Sequence, residues 1–421
     1  MIQPGSTLTL DIEKPAAGGR MLSRHDGQVV LVWGAIPGER VRARVERTTT
    51  GVAFASTTEV LSASPDRRVV SGDPRCGGNV LAHVAYERQR QLKGQIISDA
   101  FQRIAKVRLE RDPDVIASPE RGYRMRARLH VAGGKIGFYR EDSHEWCDAI
   151  QTGQLLESTG AWIEAAQATI RRIGPDGVAG MEISENIAGD ERACHLDLRE
   201  GARPAAYVQL SAGLVGLTAQ RAGSSFVDTL AGWPYVTDVI QVRDELPPLR
   251  LSRHVKAFFQ GNRFLVRTLV QQVMALVPPG SVLDLYAGVG LLGLSLAAGA
   301  SGQVTLVEGD FVSASDLQNN AVPYRDRVRV EWCSVEDFLA DKIPPADTVI
   351  VDPPRTGLSR AAAAGILALR PARLVYVSCD VATLARDARK LLDGGYTLGP
   401  LMALDLFPNT AHVETVAVFT R

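Results

Sequence analysis

The run Ser281-Val-Leu-Asp-Leu-Tyr286, followed by Ala287-Gly-Val-Gly290, constrains this chain more than any other segment. It reads as an apolar strand that breaks into a glycine turn and enters a helix. Gly288 and Gly290 let the backbone approach a ligand with no Cβ in the way. From about residue 250 onward, strand-like runs alternate with helix-like ones, among them Val304-Thr-Leu-Val-Glu308, Ala346-Asp-Thr-Val-Ile-Val-Asp352 and Arg373-Leu-Val-Tyr-Val-Ser378. Strands separated by helices imply a parallel sheet in a doubly wound α/β domain. Such sheets bind ligands at the carboxyl ends of their strands. Here those ends carry Tyr286, Glu308, Asp352 and Cys379.

Each strand end has its own chemistry. Glu308 ends the second strand, where an acid can take both hydroxyls of a ribose. A Gly-x-Gly turn alone also serves dinucleotides or plain packing. Asp284 within the strand and the missing third glycine favour S-adenosylmethionine over a nicotinamide cofactor. In Asp352-Pro-Pro-Arg-Thr-Gly357 the two prolines force a defined exit that holds Asp352 at the sheet edge. Cys379 lies between an apolar strand and the helix-like Ala382-Thr-Leu-Ala-Arg-Asp387, so a nearby helix N-terminus is expected to lower its pKa. A thiolate is what methylation at C5 of uracil requires. Addition of sulfur to C6 makes C5 nucleophilic, and a base must then remove the C5 proton. Glu414 leads as that base, with His412 competing. Cys147, Cys194 and Cys333 read as small buried hydrophobes.

Of 421 residues, 45% are hydrophobic and 22% charged, ordinary values for two or three globular domains. Lys+Arg and Asp+Glu both number 47, so net charge argues neither for nor against nucleic acid. No apolar run is long enough to span a membrane and no signal peptide is evident, which makes the cytoplasm the expected compartment. Five scattered cysteines do not resemble a secreted disulfide framework. Residues 1–65 alternate apolar and polar residues between glycine turns, as in a small β-barrel. Residues 66–245 follow a linker at Ser62–Arg68. They include a polar helix over 84–107 and a mixed α+β stretch. Leu246-Pro-Pro-Leu249 opens the third domain, 246–421.

These segments, in this order, resemble the RNA uracil-C5 methyltransferases, a class I (Rossmann-like) family dependent on S-adenosylmethionine. Phe258-Phe-Gln260-Gly-Asn262 matches the family's Phe-x-Gln-x-Asn. The resemblance implies that Gln260, Tyr286, Glu308 and Asp352 contact the cofactor or the reacting pair, that Cys379 is the nucleophile and that Glu414 is the base. Arg355 stands where cytosine-C5 enzymes usually carry cysteine, which argues against cytosine. Asn/Asp-Pro-Pro-Tyr/Phe, the usual mark of amino-group methyltransferases, is likewise absent. Val381 replaces a common proline, Ala287 a common cysteine and Leu291 a common polar residue. Residues 1–65 resemble a TRAM domain, an RNA-binding barrel of OB-like shape, through Gly18-Gly19 and Ala35-Ile-Pro-Gly-Glu39. TRAM points to large-subunit (23S) ribosomal RNA as substrate. The T-loop uridine of transfer RNA is the alternative, and a non-catalytic RNA-binding factor the reading from another class. Many relatives hold an iron–sulfur cluster on four cysteines. Here only Cys76 falls on that pattern, Val70 and Asn79 replace two others, and the distant one falls near Thr152. Two thiolates cannot fill such a site, so no cluster or other metal is expected and Cys76 reads as a relic. Nothing demands more than a monomer.

Overall fold

The computed structural model describes residues 2–141, 143–173, 177–202, 213–299, 302–341 and 345–421. Residues 7–62 form a six-stranded sheet: β1 (Thr7–Asp11), β2 (Lys14–Pro15), β3 (Met21–His25), β4 (Gln28–Trp33), β5 (Arg40–Thr49) and β6 (Val52–Ser62), in the order β1-β5-β6-β4-β3-β2. On β5, Val41, Ala43 and Val45 are buried while the arginines between them are exposed, the period-two pattern of a half-buried strand. The sheet rolls until its ends meet, with Glu13 N–H donating to Leu22 O at 2.9 Å and Ser23 Oγ to Asp11 O at 2.7 Å.

The helix expected over 84–107 runs as α1 (Tyr86–Ala100), continues through a wider turn over Phe101–Ala105, and stops at left-handed Lys106. It leads into the short β7 (Val115–Ile116). A second sheet holds β8 (Arg126–Ala132), β9 (Lys135–Tyr139), β10 (Trp146–Cys147), β11 (Val178–Glu185), β12 (Arg192–Leu198), β13 (Leu214–Arg221) and β14 (Val227–Gly232), ordered β10-β9-β8-β11-β12-β13-β14. Its inner face packs Ala127, Leu129, Val131, Met181 and Ile183 with Ile163 and Ile170 of α2 (Glu157–Ile173). The hairpin of β15 (Tyr235–Ile240) and β16 (Leu249–His254) leads to the last domain.

That domain alternates α3 (Val266–Leu276), β17 (Val282–Leu285), α4 (Leu291–Ala298), β18 (Val304–Glu308), α5 (Phe311–Ala321), β19 (Val328–Trp332), α6 (Val335–Ala340), β20 (Thr348–Val351), α7 (Arg360–Leu369), β21 (Arg373–Ser378), α8 (Val381–Asp393), β22 (Thr397–Leu404) and β23 (Glu414–Thr420). Strand order is β19-β18-β17-β20-β21-β23-β22-β7; β17 to β21 run parallel and β23 is antiparallel to both neighbours. All four residues of β17 and of β20 are buried, as strands covered on both faces must be. The outermost strand, β7, comes from the first half of the chain and pairs in parallel with β22. Ile97, Phe101 and Val115 share one apolar core with Leu384, Ala388 and Leu391 of α8. Segment 86–116 therefore packs as part of the last domain.

The loop between β22 and β23 is held from that segment. Fully buried Lys93 donates to Asp405 Oδ1 at 2.5 Å and to Phe407 O at 3.0 Å. Asn409, left-handed at φ 64°, is gripped by Gln89 through two hydrogen bonds of 2.9 Å and by Arg68 at 2.7 Å. Its carbonyl accepts from Leu81 N–H at 2.8 Å.

Three cysteine expectations need correction. Cys76 and Cys147, expected as a relic and a small core residue, are joined in a disulfide. The turn over 73–79 folds back on the β9–β10 hairpin, with Gly77 N–H donating to Tyr139 O at 3.1 Å and Arg140 Nε to Asp73 Oδ2 at 2.6 Å. That brings the two sulfurs face to face. Cys194 is buried as expected, whereas Cys333 is partly exposed.

The Lys93–Asp405 pair yields a stability prediction. Asp405 Oδ2 already has no partner, so Lys93→Ala strands a buried carboxylate. The expected loss is about 3–5 kcal/mol in urea unfolding, with Lys93→Met/Asp405→Leu recovering most of it. A loss under about 1 kcal/mol for Lys93→Ala would remove the pair from its organising role.

Candidate active site

The strand β17 ends in two unusual backbone positions. Tyr286 is left-handed at φ 64°, and Gly290 opens α4 at φ 99°. A Cβ on Gly290 would sit 2.5 Å from Leu294 Cδ1, so conformation and space both require glycine there. Glu308, at the end of β18, accepts from Gly288 N–H at 2.7 Å and from Asp310 N–H at 2.7 Å. Its carboxylate thus fixes the glycine loop from below. Asp284 accepts from Gly293 N–H at 2.9 Å, while its other oxygen is buried without a partner.

A small cavity of about 50 Å³ lies over this loop, lined by Phe258, Gln260, Asp284, Tyr286, Gly288 and Asp352 among others. Gln260 donates to Asp352 Oδ2 at 3.0 Å. The structure thus gathers Gln260, Tyr286, Gly288 and Asp352 around one space, whereas Gly290 and Glu308, expected there as well, do not line it and act on the loop instead. No basic side chain lines it. Burial, then the neighbouring Asp352 and Glu308 charges, pushes Asp284 up to about 8. Burial also raises Asp352. Acids without a counter-charge, one with an unpartnered buried oxygen, fit a cationic ligand. S-adenosylmethionine, with its sulfonium and ammonium groups, meets that requirement.

A larger cleft of about 370 Å³ opens on the far side of the Asp352-Pro-Pro-Arg355 turn. Cys379 stands in it at the end of β21, with Arg355, Phe407, His412, Arg124 and Gly78 around it. The turn therefore presents Asp352 to one cavity and Arg355 to the other. Glu414, first residue of β23, is buried and paired in register with Leu404. It acts electrostatically on Cys379, Asp352 acts on it, and Arg355 acts on both, so Cys379, Glu414, Asp352 and Arg355 form one charge cluster.

The expected lowering of the Cys379 pKa is not what the structure shows. Burial, then the Glu414 carboxylate, pushes it up to about 11, with Asp352 adding to the rise and Arg355 opposing it by charge and by a hydrogen bond. At the α8 N-terminus the Asp380 side chain caps one of the free N–H groups, accepting from Thr383 N–H at 2.8 Å, so a carboxylate rather than the thiol meets it. Burial and Asp352 raise Glu414 well above the carboxylate range, again against Arg355. His412, at the cleft rim, falls to about 4 through desolvation and the cations Arg355 and Lys93. Arg355 is thus a site residue that sequence reading missed. The signal was present in its position one turn after Asp352, but only the fold reveals that it reaches Cys379.

Comparison with known proteins agrees with this geometry. A sequence model described as tRNA (Uracil-5-)-methyltransferase matches residues 302–421, and one of the TRAM domain matches residues 3–58. The chain is 32% identical over 440 residues to the 23S rRNA (uracil(1939)-C(5))-methyltransferase RlmD of Pseudomonas putida, covering 99% of this chain and 94% of that one. It is 34% identical over 435 residues to the protein of that name from Alkalilimnicola ehrlichii, covering 96% and 94%. The chain belongs to the RNA uracil-C5 methyltransferase family. Among solved structures, the tRNA (uracil-54, C5)-methyltransferase of Pyrococcus abyssi in complex with S-adenosyl-L-homocysteine superposes with a TM-score of 0.77. It is 24% identical and the match covers 98% of this chain and all of that one, so the two share their fold. Family members of this kind use S-adenosylmethionine. Among the described residues no group of three or more His, Cys, Asp or Glu gathers as a metal site, and no helix is long and apolar enough to cross a membrane.

The raised Cys379 pKa predicts slow alkylation by iodoacetamide in the free enzyme. Peptide mapping should show the Cys379 rate rising roughly tenfold per pH unit from neutrality, levelling only near pH 11. Arg355→Gln removes the lowering influence and should slow the reaction further at each pH. A plateau below pH 9 in the unsubstituted protein would contradict the assignment.

Proposed function

We propose that this enzyme methylates C5 of a uridine in large-subunit ribosomal RNA through a covalent adduct between Cys379 and C6 of the base. One observation carries the reading: Cys379, Arg355, Asp352 and Glu414 meet at the single turn that divides a cation-favouring cavity from an open cleft. The sulfonium cofactor would supply an electrophilic methyl group from the small cavity, held by Gln260, Tyr286, Gly288, Asp284 and Asp352. The chain's own residues do the rest. The Cys379 sulfur adds to C6 and the ring electrons pass to C5 and O4. Once C5 carries the methyl group, Glu414 takes the C5 proton and the C6–S bond breaks, releasing the thiolate.

The electrostatics suit these roles. A carboxylate with a raised pKa is a stronger base than an ordinary one, and an imidazole lowered to about 4 is a weaker one, which favours Glu414 over His412. A thiol near 11 is protonated at rest, so Cys379 gives its proton to solvent through the open cleft before attack, with Arg355 beside the thiolate as counter-charge.

Ribosomal RNA is favoured by the relatives of that activity, which match over nearly their whole length, and by the TRAM barrel. The test is methyl transfer from labelled S-adenosylmethionine to separate unmodified large-subunit ribosomal and transfer RNA transcripts, with the product nucleoside identified. We expect 5-methyluridine in ribosomal RNA alone. The same product in transfer RNA alone would keep the chemistry and overturn the substrate. Cys379→Ala should abolish transfer, and Glu414→Gln should slow it roughly 10²–10⁴-fold. Unchanged turnover in Cys379→Ala would end the adduct mechanism.

A further inference from the structure

A uridine placed at Cys379 is part of a strand, and its neighbours must leave the cleft over one of its walls. One wall is built for that. Arg128 and His130 on β8 and Tyr139 on β9 line the Cys379 cleft and also line a second, larger cleft of about 700 Å³ on the outer face of the central sheet. The His130 and Tyr139 rings are stacked, with centroids 3.6 Å apart and planes 8° from parallel. Alternation on β8 turns Ala127, Leu129 and Val131 into the core and leaves Arg128 exposed and His130 partly exposed on the other face.

The sheet beside the rings is cut low. Gly180 stands in register with His130 on one side and with Asp197 on the other, so the row across the sheet has no side chain at its middle position. A Cβ there would lie 3.0 Å from Asp197 Oδ2. Beyond this dip the cleft is lined by Arg199, Glu200 and Arg221, all exposed; Asp197 lies 3.6 Å from Arg128 and Asp228 3.7 Å from Arg221, which leaves Arg199 as the guanidinium with no acid paired to it in the cleft among the described residues. Paired flat rings, a depression one side chain deep and guanidinium groups at the rim are the elements that single-stranded nucleic acid uses: stacking for a base and charge for the phosphates. Sheet faces carrying aromatic residues are a recurrent form of RNA platform.

We infer that the outer face of the central sheet is the bed for the single-stranded RNA adjoining the reacting uridine, with one flanking base stacked on the His130–Tyr139 pair. The inference rests on the uridine-methylation reading above for the identity of the strand. Tyr139 and His130 are positioning residues, since they share the cleft with Cys379 but act by holding the strand.

The test uses the full chain and a short single-stranded RNA with one uridine. 2-Aminopurine is placed in turn at each flanking position, and binding, fluorescence and methyl transfer are all measured. We expect quenching at one flanking position in the unsubstituted protein. Tyr139→Ala and His130→Ala should abolish the quench and raise the RNA KM roughly five- to a hundredfold, with kcat within about twofold. Tyr139→Phe should retain both quench and KM. An abasic nucleotide at the quenched position should weaken binding to the unsubstituted protein and have no further effect in Tyr139→Ala. Bound RNA with no quenched position, or a Tyr139→Ala variant whose KM and abasic penalty equal those of the unsubstituted protein, would overturn the platform. A quench that depends on Tyr139 without methyl transfer would support the platform and overturn the methylation reading instead.

Discussion

A buried ion pair ties the first half of this molecule to the loop that carries Glu414. Lys93, on a helix from the first half of the chain, meets Asp405 at the root of the loop that leads to Glu414. Both side chains are fully buried, so neither charge can be left alone without a large penalty. The grip of Gln89 and Arg68 on Asn409 extends the same clamp along the loop. The consequence is geometric. Glu414 begins β23, Cys379 ends the adjacent β21, and the loop between β22 and β23 can take no position independent of helix α1. The first half of the chain thereby helps to set the separation of Cys379 and Glu414.

The second constraint is electrostatic. Asp284, Asp352 and Glu414 are crowded into low-polarity surroundings; burial raises each, and Asp352 adds to the rise of Asp284 and of Glu414. Arg355 is the cation that moderates the cluster on the cleft side, and none lines the cofactor side. A positively charged methyl donor would complete the balance, and its arrival would lower these carboxylates towards their ionised forms. Substrate and cofactor chemistry are thereby linked through one proline-fixed turn, Asp352 to Arg355.

Much of this was legible in the sequence because it depends on local pattern. The strands ending at Leu285, Glu308, Val351 and Ser378 carry apolar runs that stop at turn residues, and the structure ends them at those places. Gly290 is legible for the same reason, since a helix entry at positive φ leaves few alternatives to glycine. Long-range features were not legible. Lys93 and Asp405 are 312 residues apart, and neither has a local pattern that names the other. The Cys76–Cys147 bond depends on a turn folding back across a hairpin. Proximity of a helix N-terminus suggested a low Cys379 pKa, yet burial, and after it the carboxylates of Glu414 and Asp352, push it the other way. Arg355 read as a mark against cytosine, and its proximity to Cys379 emerged only from the fold.

The most direct test of the account is the fate of an RNA carrying 5-fluorouridine at the target position, incubated with the enzyme and S-adenosylmethionine. Fluorine leaves no C5 proton for Glu414 to remove, so the C6–S bond cannot break by the normal route. The account predicts a protein–RNA adduct that survives denaturation and maps by mass spectrometry to Cys379. A protein that turns over ordinary uridine yet forms no adduct, or forms one at another residue, would contradict it.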